Sequence, residues 1–573
     1  MEEKQMVSYP SIEKPWLKYY SDEAKNAQLP KCTIYEYLLN NNREHYKDTA
    51  LIYFGRRITY GGLIEKIELV AASFVALGVQ KGDIVTIQAL SIPQVVYMIY
   101  ALSKIGAIAN LVYVTSTADE VMRNLFETKS KVYVTIDSVY NSFKHEFKKE
   151  YVQNIVLLSL KDEMNTVAKV MLKLKVKDSY TQRVNNTLDW KAFVSLGANS
   201  KTDIAGRNTD PVIMVYTGGT TGKSKGVMLS NYNLNVGALQ YLYLGFERKK
   251  RFLCVLPPFI AFGLTVTIHM PLSFGLQTAL CIAADPTEIG SFVEQYKPNY
   301  IICGTAQAEK MMIALDTKRT DLSNLELLGV GGDALPIALE RRMNEFLTSR
   351  KSKTRIIQGY AMSETSASST AAVYTIHKQG TVGIPFVYTT IKVVGVDTMD
   401  ELSYGQNGEI CINTPCAMMG YYQNEKETNS ILKRHSDGSL WVHTGDIGNI
   451  DQDGFVTIVG RIKRMILTQE GNVFHKVFPK ILEDKFLEVK GVEAISIVAK
   501  QSKETTNDLV AFVVLDMITP EEEALVALDQ FATENLERYE RPKKYIFLNR
   551  LPLTTVGKVN YRMLEQEAEK TKC

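Results

Sequence analysis

The 573-residue chain lacks several patterns that mark common protein classes. Its net charge of +3 is too small for this length to indicate a nucleic-acid partner. None of its seven cysteines forms a Cys-x-x-Cys pair, so we expect reduced, mostly buried thiols and a cytoplasmic location. None of its seven histidines pairs with another at a metal-binding spacing, which argues against a zinc site. The polar, charged start at residues 1–5 predicts no secretory signal.

Long unbroken hydrophobic runs are also missing. Residues 252–284 contain no Asp, Glu, Lys or Arg and are long enough to span a bilayer, but three prolines and two glycines interrupt them. We therefore expect short buried pieces and no transmembrane segment. Residues 169–177 alternate basic and apolar side chains, a pattern compatible with weak contact with a membrane surface or with a solvated face.

The order of elements predicts an α/β protein. Strand and helix patterns alternate, as in a helix at 289–296 followed by a strand at 299–303, which favours largely parallel sheets. After residue 460 the pattern changes to strands at 493–499 and 509–515. A helix should follow, with Thr519 as its capping hydroxyl and Pro520 as its first residue.

These patterns predict two domains of unequal size. Residues 1–460 should form a large domain of mixed and parallel sheets flanked by helices. Residues 461–573 should form a small, mobile α/β domain.

The most informative segment is 216–226, which reads Tyr-Thr-Gly-Gly-Thr-Thr-Gly-Lys-Ser-Lys-Gly directly after the apolar run 211–215. Glycines let backbone N–H groups approach an anion, hydroxyls add donors and lysine adds positive charge. The segment therefore predicts a loop that binds a polyphosphate, with a helix following from Ser230. It is not a P-loop, because Gly218 precedes Gly222 by only four positions.

Together with four later segments, this loop resembles the core motifs of the adenylate-forming superfamily, which contains acyl-CoA synthetases, adenylation domains of peptide synthetases and luciferases. The four are Gln-Gly-Tyr-Ala-Met-Ser-Glu-Thr at 358–365, Trp-Val-His-Thr-Gly-Asp at 441–446, Gly-Arg-Ile-Lys-Arg at 460–464 and Pro-Leu-Thr-Thr-Val-Gly-Lys at 552–558. The resemblance implies that a small-molecule carboxylic acid is joined to the α-phosphate of ATP with Mg²⁺, and that the acyl group then passes to CoA.

The resemblance also implies a nucleotide site built from several segments. Its residues would be Thr217, Gly218, Gly219, Thr220, Thr221, Gly222, Lys225, Gly331, Gly332, Asp333, Gly359, Tyr360, Ser363, Asp446, Arg461 and Lys558. Residues 217–222 and Lys225 would surround the β- and γ-phosphates, and Gly331–Asp333 would lie beside adenine.

Five of these residues would have individual roles. Gly359 would admit adenine and Tyr360 would stack on it, while Asp446 would accept both ribose hydroxyls with support from Arg461. Lys558, on the small domain, would bridge the acyl carboxylate and the α-phosphate after that domain closes.

Thr217, Glu364 and Lys558 are the candidate catalytic residues. Glu364 is also the candidate Mg²⁺ ligand, because a carboxylate there could hold the ion against the phosphates.

The resemblance places an acyl pocket at Phe259, Ile260, Phe262, Gly263, Gly304, Ala361 and Met362. Relatives that activate amino acids have Asp at the position of Ile260. An isoleucine leaves an ammonium unpaired, so we expect a fatty or aromatic acid.

The sequence defines the acceptor of the acyl group less narrowly than the acid. The segment 471–479, with Gly471 and His475, follows the hinge residue Arg464 and is about three residues longer than usual for the pantetheine-binding loop. CoA is the expected acceptor. Two alternatives stay open: transfer to the pantetheine of a carrier protein, or a non-catalytic protein that binds acyl groups or nucleotides.

Overall fold

The computed structural model describes residues 8–143, 152–166, 169, 187–198, 200–217, 224–282, 285–372, 375–471, 473–503, 506–553 and 559–571. The strands, numbered in chain order, are β1 (Thr49–Tyr53), β2 (Arg56–Thr59), β3 (Ile84–Gln88), β4 (Ile108–Leu111), β5 (Val132–Ile136), β6 (Asn154–Leu158), β7 (Thr187–Asp189), β8 (Pro211–Tyr216), β9 (Gly226–Ser230), β10 (Arg251–Cys254), β11 (Gln277–Leu280), β12 (Tyr300–Gly304), β13 (Leu327–Gly331), β14 (Ile356–Tyr360), β15 (Thr370–Ala371), β16 (Ile384–Pro385), β17 (Thr390–Val394), β18 (Gly408–Asn413), β19 (Gly420–Tyr421), β20 (Leu432–Arg434), β21 (Leu440–Ile450), β22 (Val456–Arg461), β23 (Ile466–Glu470), β24 (Val473–Val477), β25 (Val492–Lys503), β26 (Thr506–Leu515) and β27 (Lys544–Phe547).

The α-helices are α1 (Pro10–Glu13), α2 (Asp22–Lys25), α3 (Ile34–Asn42), α4 (Tyr60–Ala76), α5 (Pro93–Ile105), α6 (Ala118–Thr128), α7 (Asp137–Phe143), α8 (Trp190–Ser195), α9 (Asn231–Leu242), α10 (Ala261–Leu264), α11 (Met270–Ser273), α12 (Glu288–Tyr296), α13 (Thr305–Asp316), α14 (Ile337–Ser349), α15 (Glu425–Ile431), α16 (Pro479–Phe486), α17 (Glu521–Asn535) and α18 (Tyr561–Lys570). Short 3₁₀ turns cover Pro15–Tyr19, Ser363–Thr365, Ile462–Arg464 and Arg538–Glu540, and a π-helical turn covers Thr265–His269.

Two large, mainly parallel sheets form most of the protein. One has the order β16-β15-β14-β13-β12-β10-β11-β1-β2 and the other β19-β9-β8-β4-β3-β5-β6-β7. Antiparallel pairing occurs at their ends, between β1 and β2, β14 and β15, β15 and β16, and β9 with both β8 and β19. Mixed sheets flanked by helices confirm the predicted fold class.

A third sheet is antiparallel and lies later in the chain. Its order is β17-β18-β21-β20, with β22 also paired to β21. It has its own apolar core and leads directly into the segment at Ile462–Arg464. Strand β22, which pairs with the long central strand β21, therefore leads from this sheet to the expected domain boundary.

The residues after 465 share a separate core. The hairpin β23–β24, helices α16 and α17 and the sheet β25-β26-β27 contribute buried side chains to it, including Phe486 and Leu528. This separate core begins shortly after the expected domain boundary at 460/461. The boundary itself stays a prediction.

The uncharged segment that begins at Phe252 forms short elements. Its described part, 252–282, contains β10, α10, the π turn, α11 and β11, and almost all of it is buried. Among the described residues, no helix combines the length and apolar composition needed to cross a bilayer. The predicted division into short buried pieces is therefore confirmed.

One local prediction is confirmed and one is wrong. Helix α9 follows from Ser230, which caps it by accepting from the Asn233 N–H. Strand β9, which the sequence did not indicate, lies between the expected phosphate loop and this helix, so the loop joins two antiparallel strands. Helix α17 begins at Glu521, and Pro520, not Thr519, holds the N-cap position without a side-chain cap. The Thr519 N–H instead donates to Asp516.

Candidate active site

Three parallel strands end side by side at the candidate site. Strands β12, β13 and β14 are neighbours, and Gly304 at the end of β12 is in register with Gly331 at the end of β13. Polar turns follow: Gly332 has φ +87°, a conformation that favours glycine, and the Asp333 carbonyl accepts from the Gln358 side chain. Carboxyl ends of parallel strands are where α/β proteins bind ligands.

Close packing explains two of these glycines. A Cβ on Gly331 would lie 3.2 Å from the Gly359 carbonyl oxygen and 3.4 Å from the Phe262 ring. A Cβ on Gly359 would lie 2.9 Å from the Thr370 carbonyl oxygen on the antiparallel neighbour β15. Sheet packing alone therefore excludes a side chain at Gly359, whether or not adenine also requires the space.

The predicted acyl-pocket residues mostly share one apolar cluster. Phe259, Ile260, Phe262 and Ala361 all pack on the main core, and the Phe259 ring lies 5.0 Å from that of Tyr113. Met362 instead packs, with Tyr360, on the core of the third sheet.

Gly263 is confined by backbone. A Cβ there would lie 2.0 Å from the Pro257 carbonyl oxygen, so this position admits no side chain.

Asp446 is the best-defined polar group of the site. It lies on β21 opposite Arg461 on β22, and its side chain is buried. Its Oδ1 is 2.6 Å from Arg461 Nε, and its Oδ2 accepts a 2.5 Å hydrogen bond from the Tyr360 hydroxyl. A carboxylate offers about four lone pairs, so roughly two remain for further donors.

The charges around Asp446 affect one another's protonation. Asp446, followed by Tyr360 and Glu364, raises the pKa of Arg461, although partial burial acts in the opposite direction. Burial, together with Asp446, raises the pKa of Tyr360 well above its usual value, so the phenol stays protonated and donates. The arrangement joins Glu364 electrostatically to the Asp446–Arg461 pair.

Glu364 connects to Lys225 through a tyrosine. Glu364 lies on the 3₁₀ turn after β14, is buried, and its Oε1 accepts a 2.6 Å hydrogen bond from the Tyr421 hydroxyl. Lys225 Nζ lies 4.7 Å from the centre of the Tyr421 ring and 2.6 Å from Glu427 Oε2. Hydrogen bonding from Lys225 lowers the pKa of the Glu427 carboxyl.

The two ends of the glycine-rich loop are joined. The Thr217 N–H donates to the Lys225 carbonyl at 3.1 Å, and the Ser224 hydroxyl donates to the Thr217 carbonyl at 2.7 Å. The predicted phosphate-binding residues Gly218, Gly219, Thr220, Thr221 and Gly222 lie outside the described residues.

The donor set around Glu364 fits Mg²⁺. Magnesium prefers hard oxygen ligands and in nucleotide sites usually takes one or two carboxylates together with phosphate oxygens. Glu364 supplies such a carboxylate next to the joined ends of the loop, and the bond from Tyr421 fixes its orientation. No nitrogen or sulfur ligand is needed there.

The C-terminal segment packs on Arg464. Arg464 forms an ion pair with Glu483 at 2.7 Å, donates to the Ile497 carbonyl and stacks on the Tyr561 ring at 3.6 Å. Burial raises the pKa of Tyr561, and the neighbouring Arg464 acts in the opposite direction.

Lys558 itself lies outside the described residues. Leu553 and Val559, which flank its segment, are joined by an antiparallel bridge, and the Asn560 N–H donates to the Pro552 carbonyl. The base of the segment is therefore closed next to α18.

The expected loop at 471–479 is largely a β-hairpin. Gly471 lies at the turn between β23 and β24, and α16 starts at Pro479. Val473 and Phe474, near the tip of the hairpin, are 57% and 52% exposed, whereas the His475 ring stacks on Tyr539 at 3.8 Å between centroids.

Sequence reasoning missed two side chains and one pairing. Tyr421 and Glu427 carry no motif of their own; the only signal was an aromatic pair after Gly420. His435 and His443 do not stand at a metal-binding spacing in the sequence, yet their Nε2 atoms are 2.9 Å apart, because the β20–β21 hairpin folds one back on the other.

Buried Asp446 with its partners Arg461 and Tyr360, Lys225 at the base of the glycine-rich loop, and the apolar cluster around Phe259 are the groups that the structure describes at the candidate site. The AMP-binding enzyme family matches residues 38–422, and the family of AMP-binding enzyme C-terminal domains matches residues 482–558. The chain belongs to the AMP-binding enzyme family. This confirms the expected adenylate-forming class and an AMP-forming acid–thiol ligase.

Curated relatives match along nearly the whole chain. A long-chain-fatty-acid–CoA ligase of Bacillus subtilis (strain 168) is 27% identical over 568 residues, which cover 97% of this chain and 99% of the relative. The long-chain-fatty-acid–CoA ligase of Escherichia coli O157:H7 is 27% identical over 538 residues, 91% of each chain.

Solved structures share the fold at lower identity. The anthranilate CoA ligase AuaEII, in complex with anthranoyl-AMP, superposes with a TM-score of 0.80 at 20% identity and covers 96% of this chain and 99% of that one. A benzoate CoA ligase from Burkholderia xenovorans LB400 gives 0.77 at 18% identity, with coverages of 93% and 99%.

Proposed function

We propose that this protein activates a fatty or aromatic carboxylic acid with ATP and transfers the acyl group to CoA. The observation that carries the proposal is the position of Gly331, which lies between two parts of the site. On one side it packs on Phe262 of the apolar pocket, and on the other side on Gly359 of the proposed nucleotide site. Acid and nucleotide would therefore meet at this strand end. Ile260 and its apolar neighbours offer no partner for a substrate charge.

In the first step, a carboxylate oxygen of the acid attacks the α-phosphorus of ATP, and pyrophosphate leaves with the electrons of the broken P–O bond. Asp446 holds the ribose through its remaining lone pairs, and Arg461 and Tyr360 keep that carboxylate in place. Lys225 supplies positive charge at the base of the phosphate loop. Mg²⁺ held by Glu364 would neutralise phosphate charge when bound.

Lys558 has the central catalytic role in this proposal. Its ammonium would stabilise the charge that develops between the acyl carboxylate and the α-phosphate. The stacking of Tyr561 on Arg464 supports this role, because it holds the start of α18, three residues after Lys558, against the segment that follows Arg461.

In the second step, the thiol sulfur attacks the acyl carbon, AMP leaves with the C–O electrons, and the thiol proton passes to solvent. We take CoA as the acceptor and the relatives' long-chain fatty acids as the leading substrate class. The exposed Val473 and Phe474 offer an apolar contact for the pantetheine arm, whereas His475 is occupied by Tyr539. A carrier-protein pantetheine is the alternative acceptor.

A cytoplasmic location accompanies the proposal. Every cysteine within the described ranges is an unpaired thiol, and five of the six are buried, as suits a reducing compartment.

The two half-reactions test the proposal. Lys558→Ala should reduce acyl-AMP formation by at least about 10²-fold, the loss typical of removing a preorganised charge. It should leave thioester formation from supplied acyl-AMP nearly unchanged. Lys570→Ala, an exposed lysine on α18, is the matched control and should behave as wild type. Equal losses in both half-reactions would contradict the proposed role.

A further inference from the structure

Strand β21 bulges at the point where it carries Asp446. In its pairing with β18, His443 lies opposite Cys411. The next register pair is Ile447 with Glu409, so three residues of β21 stand against a single residue of β18. A bulge bends its strand and re-aims a side chain, and bulges are frequent beside active sites.

The backbone of the bulge requires both a glycine and new hydrogen-bond acceptors. Gly445, at its centre, has φ +69°, which disfavours other residues, although no atom of the described residues lies within 4 Å of the position that a Cβ would take. Residues without regular ladder partners also need other acceptors for their N–H groups. The shape of the bulge therefore depends on where those N–H groups bond.

Two side chains supply the acceptors. The Thr444 hydroxyl accepts from the Asp446 N–H at 3.0 Å and donates to the Ile410 carbonyl at 2.8 Å. Glu409 Oε1 accepts from the Gly445 N–H at 3.0 Å. Thr444 lies within the bulge itself, whereas Glu409 holds the bulge from the neighbouring strand.

Glu409 is itself fixed by a histidine. Its side chain is buried, and its Oε2 accepts from His443 Nδ1 at 2.8 Å. Burial acts to raise the pKa of Glu409, but the hydrogen bond and charge of His443 outweigh it, and the pKa lies below its usual value. His443 is held in turn by His435, because their Nε2 atoms are 2.9 Å apart. The carboxylate therefore stays ionised, and each of its oxygens accepts a hydrogen bond.

We propose that Glu409 is a positioning residue for the nucleotide. By holding the Gly445 N–H, it sets the backbone from which the Asp446 carboxylate projects, while Arg461 and Tyr360 hold the oxygens of that carboxylate. Glu409 acts through Asp446 and not on the substrate itself. The inference rests on the proposed role of Asp446 as the ribose acceptor.

Calorimetric titration of the full chain with AMP tests the inference. Glu409→Ala should weaken AMP binding by about tenfold, the order expected when a hydrogen bond to a charged group is lost. Glu409→Gln should stay within about threefold of the wild type. Its amide oxygen can still accept from Gly445, and its amide N–H can donate to His443 once that ring carries its proton on Nε2.

Two further variants complete the series. Glu401→Ala is the matched control, because it also removes a carboxylate that accepts from a backbone N–H, that of Ser11, and it should bind AMP as the wild type does. Glu409→Asp keeps the charge but withdraws it by one methylene, so it should bind AMP less tightly than Glu409→Gln. This order tests the geometry even if Glu409→Ala does not fold.

A double-mutant cycle separates positioning from general support of the fold. With Asp446 already replaced by alanine, Glu409→Ala should change AMP affinity by less than about twofold, because no ribose acceptor is left to position. In the otherwise wild-type chain, Glu409→Ala should raise KM for ATP more than it lowers kcat.

Three results would overturn the inference alone: wild-type AMP affinity in Glu409→Ala, a full further loss in the double variant, or a Glu409→Gln as weak as Glu409→Ala. Wild-type affinity in Asp446→Ala would instead overturn the proposed ribose site, and this inference with it.

Discussion

Replacing Asp446 by alanine tests the geometry of the nucleotide site. In the structure Arg461 Nε and the Tyr360 hydroxyl each use one oxygen of this buried carboxylate. The two remaining lone pairs match the two adjacent hydroxyls of a ribose. We therefore expect the variant to lose both ribose hydrogen bonds while the apolar pocket is left in place.

The expected magnitude follows from the type of bond. A hydrogen bond to a charged group contributes about 1.5–3 kcal/mol, so losing one such bond weakens AMP affinity by roughly tenfold or more. Losing two raises the expected loss to about a hundredfold. Part of the loss would come from Arg461 and Tyr360, which would no longer be oriented.

Calorimetric titration with AMP measures the effect directly. Asp453→Ala is the matched control, because Asp453 is an exposed carboxylate near the same pair of strands and pairs only with the exposed Lys18 among the described ion pairs. It should bind AMP as the wild type does. An Asp446→Ala affinity within about twofold of wild type would refute the assignment of Asp446 to the ribose.

Three further predictions concern the pocket, the hairpin and a buried histidine. Ile260→Asp should raise the free-energy barrier for octanoate activation by about 2 kcal/mol or more, because it buries an unpaired carboxylate. If the wild type released pyrophosphate with leucine as fast as with octanoate, the apolar pocket would be contradicted. Phe474→Ser should raise the apparent KM for CoA while ATP–pyrophosphate exchange stays within about threefold, and equal effects on both steps would exclude a role limited to the thiol. Burial lowers the pKa of His269 to about 3, below its unfolded value. Its contribution to stability is thus complete above about pH 6.5 and is lost as the pH falls towards 3, about 2 kcal/mol by pH 5. His269→Asn should therefore show a smaller fall in Tm between pH 7.5 and 5 than the wild type, and an identical fall would contradict this.

Much of the site could be predicted because its residues follow strands in recognisable motifs. Gly331, Gly359 and Glu364 lie at or just beyond strand ends, as their apolar neighbours indicated, whereas the motif at 441–446 singled out Asp446 without indicating its strand. Strand β9 was missed because five residues between a glycine-rich loop and a helix cap carry too little alternation to indicate a strand.

The remaining features depend on pairing that is distant in sequence. Tyr421 reaches Glu364 only because β19 pairs with β9, and no local pattern specifies that contact. His435 and His443 meet because of a hairpin register, so a search for short ligand spacings does not find them. Strand β24 lies within the segment 471–479, for which the resemblance implied a loop, and it forms because it pairs with β23.

Oxygen transfer tests the central claim most directly. A fatty acid labelled with ¹⁸O in its carboxylate should be incubated with the enzyme, ATP, Mg²⁺ and CoA, and the products analysed by mass spectrometry. An acyl-adenylate intermediate places one labelled oxygen in AMP and forms acyl-CoA with release of pyrophosphate. Label in inorganic phosphate with ADP as the product, or AMP without label, would contradict the account.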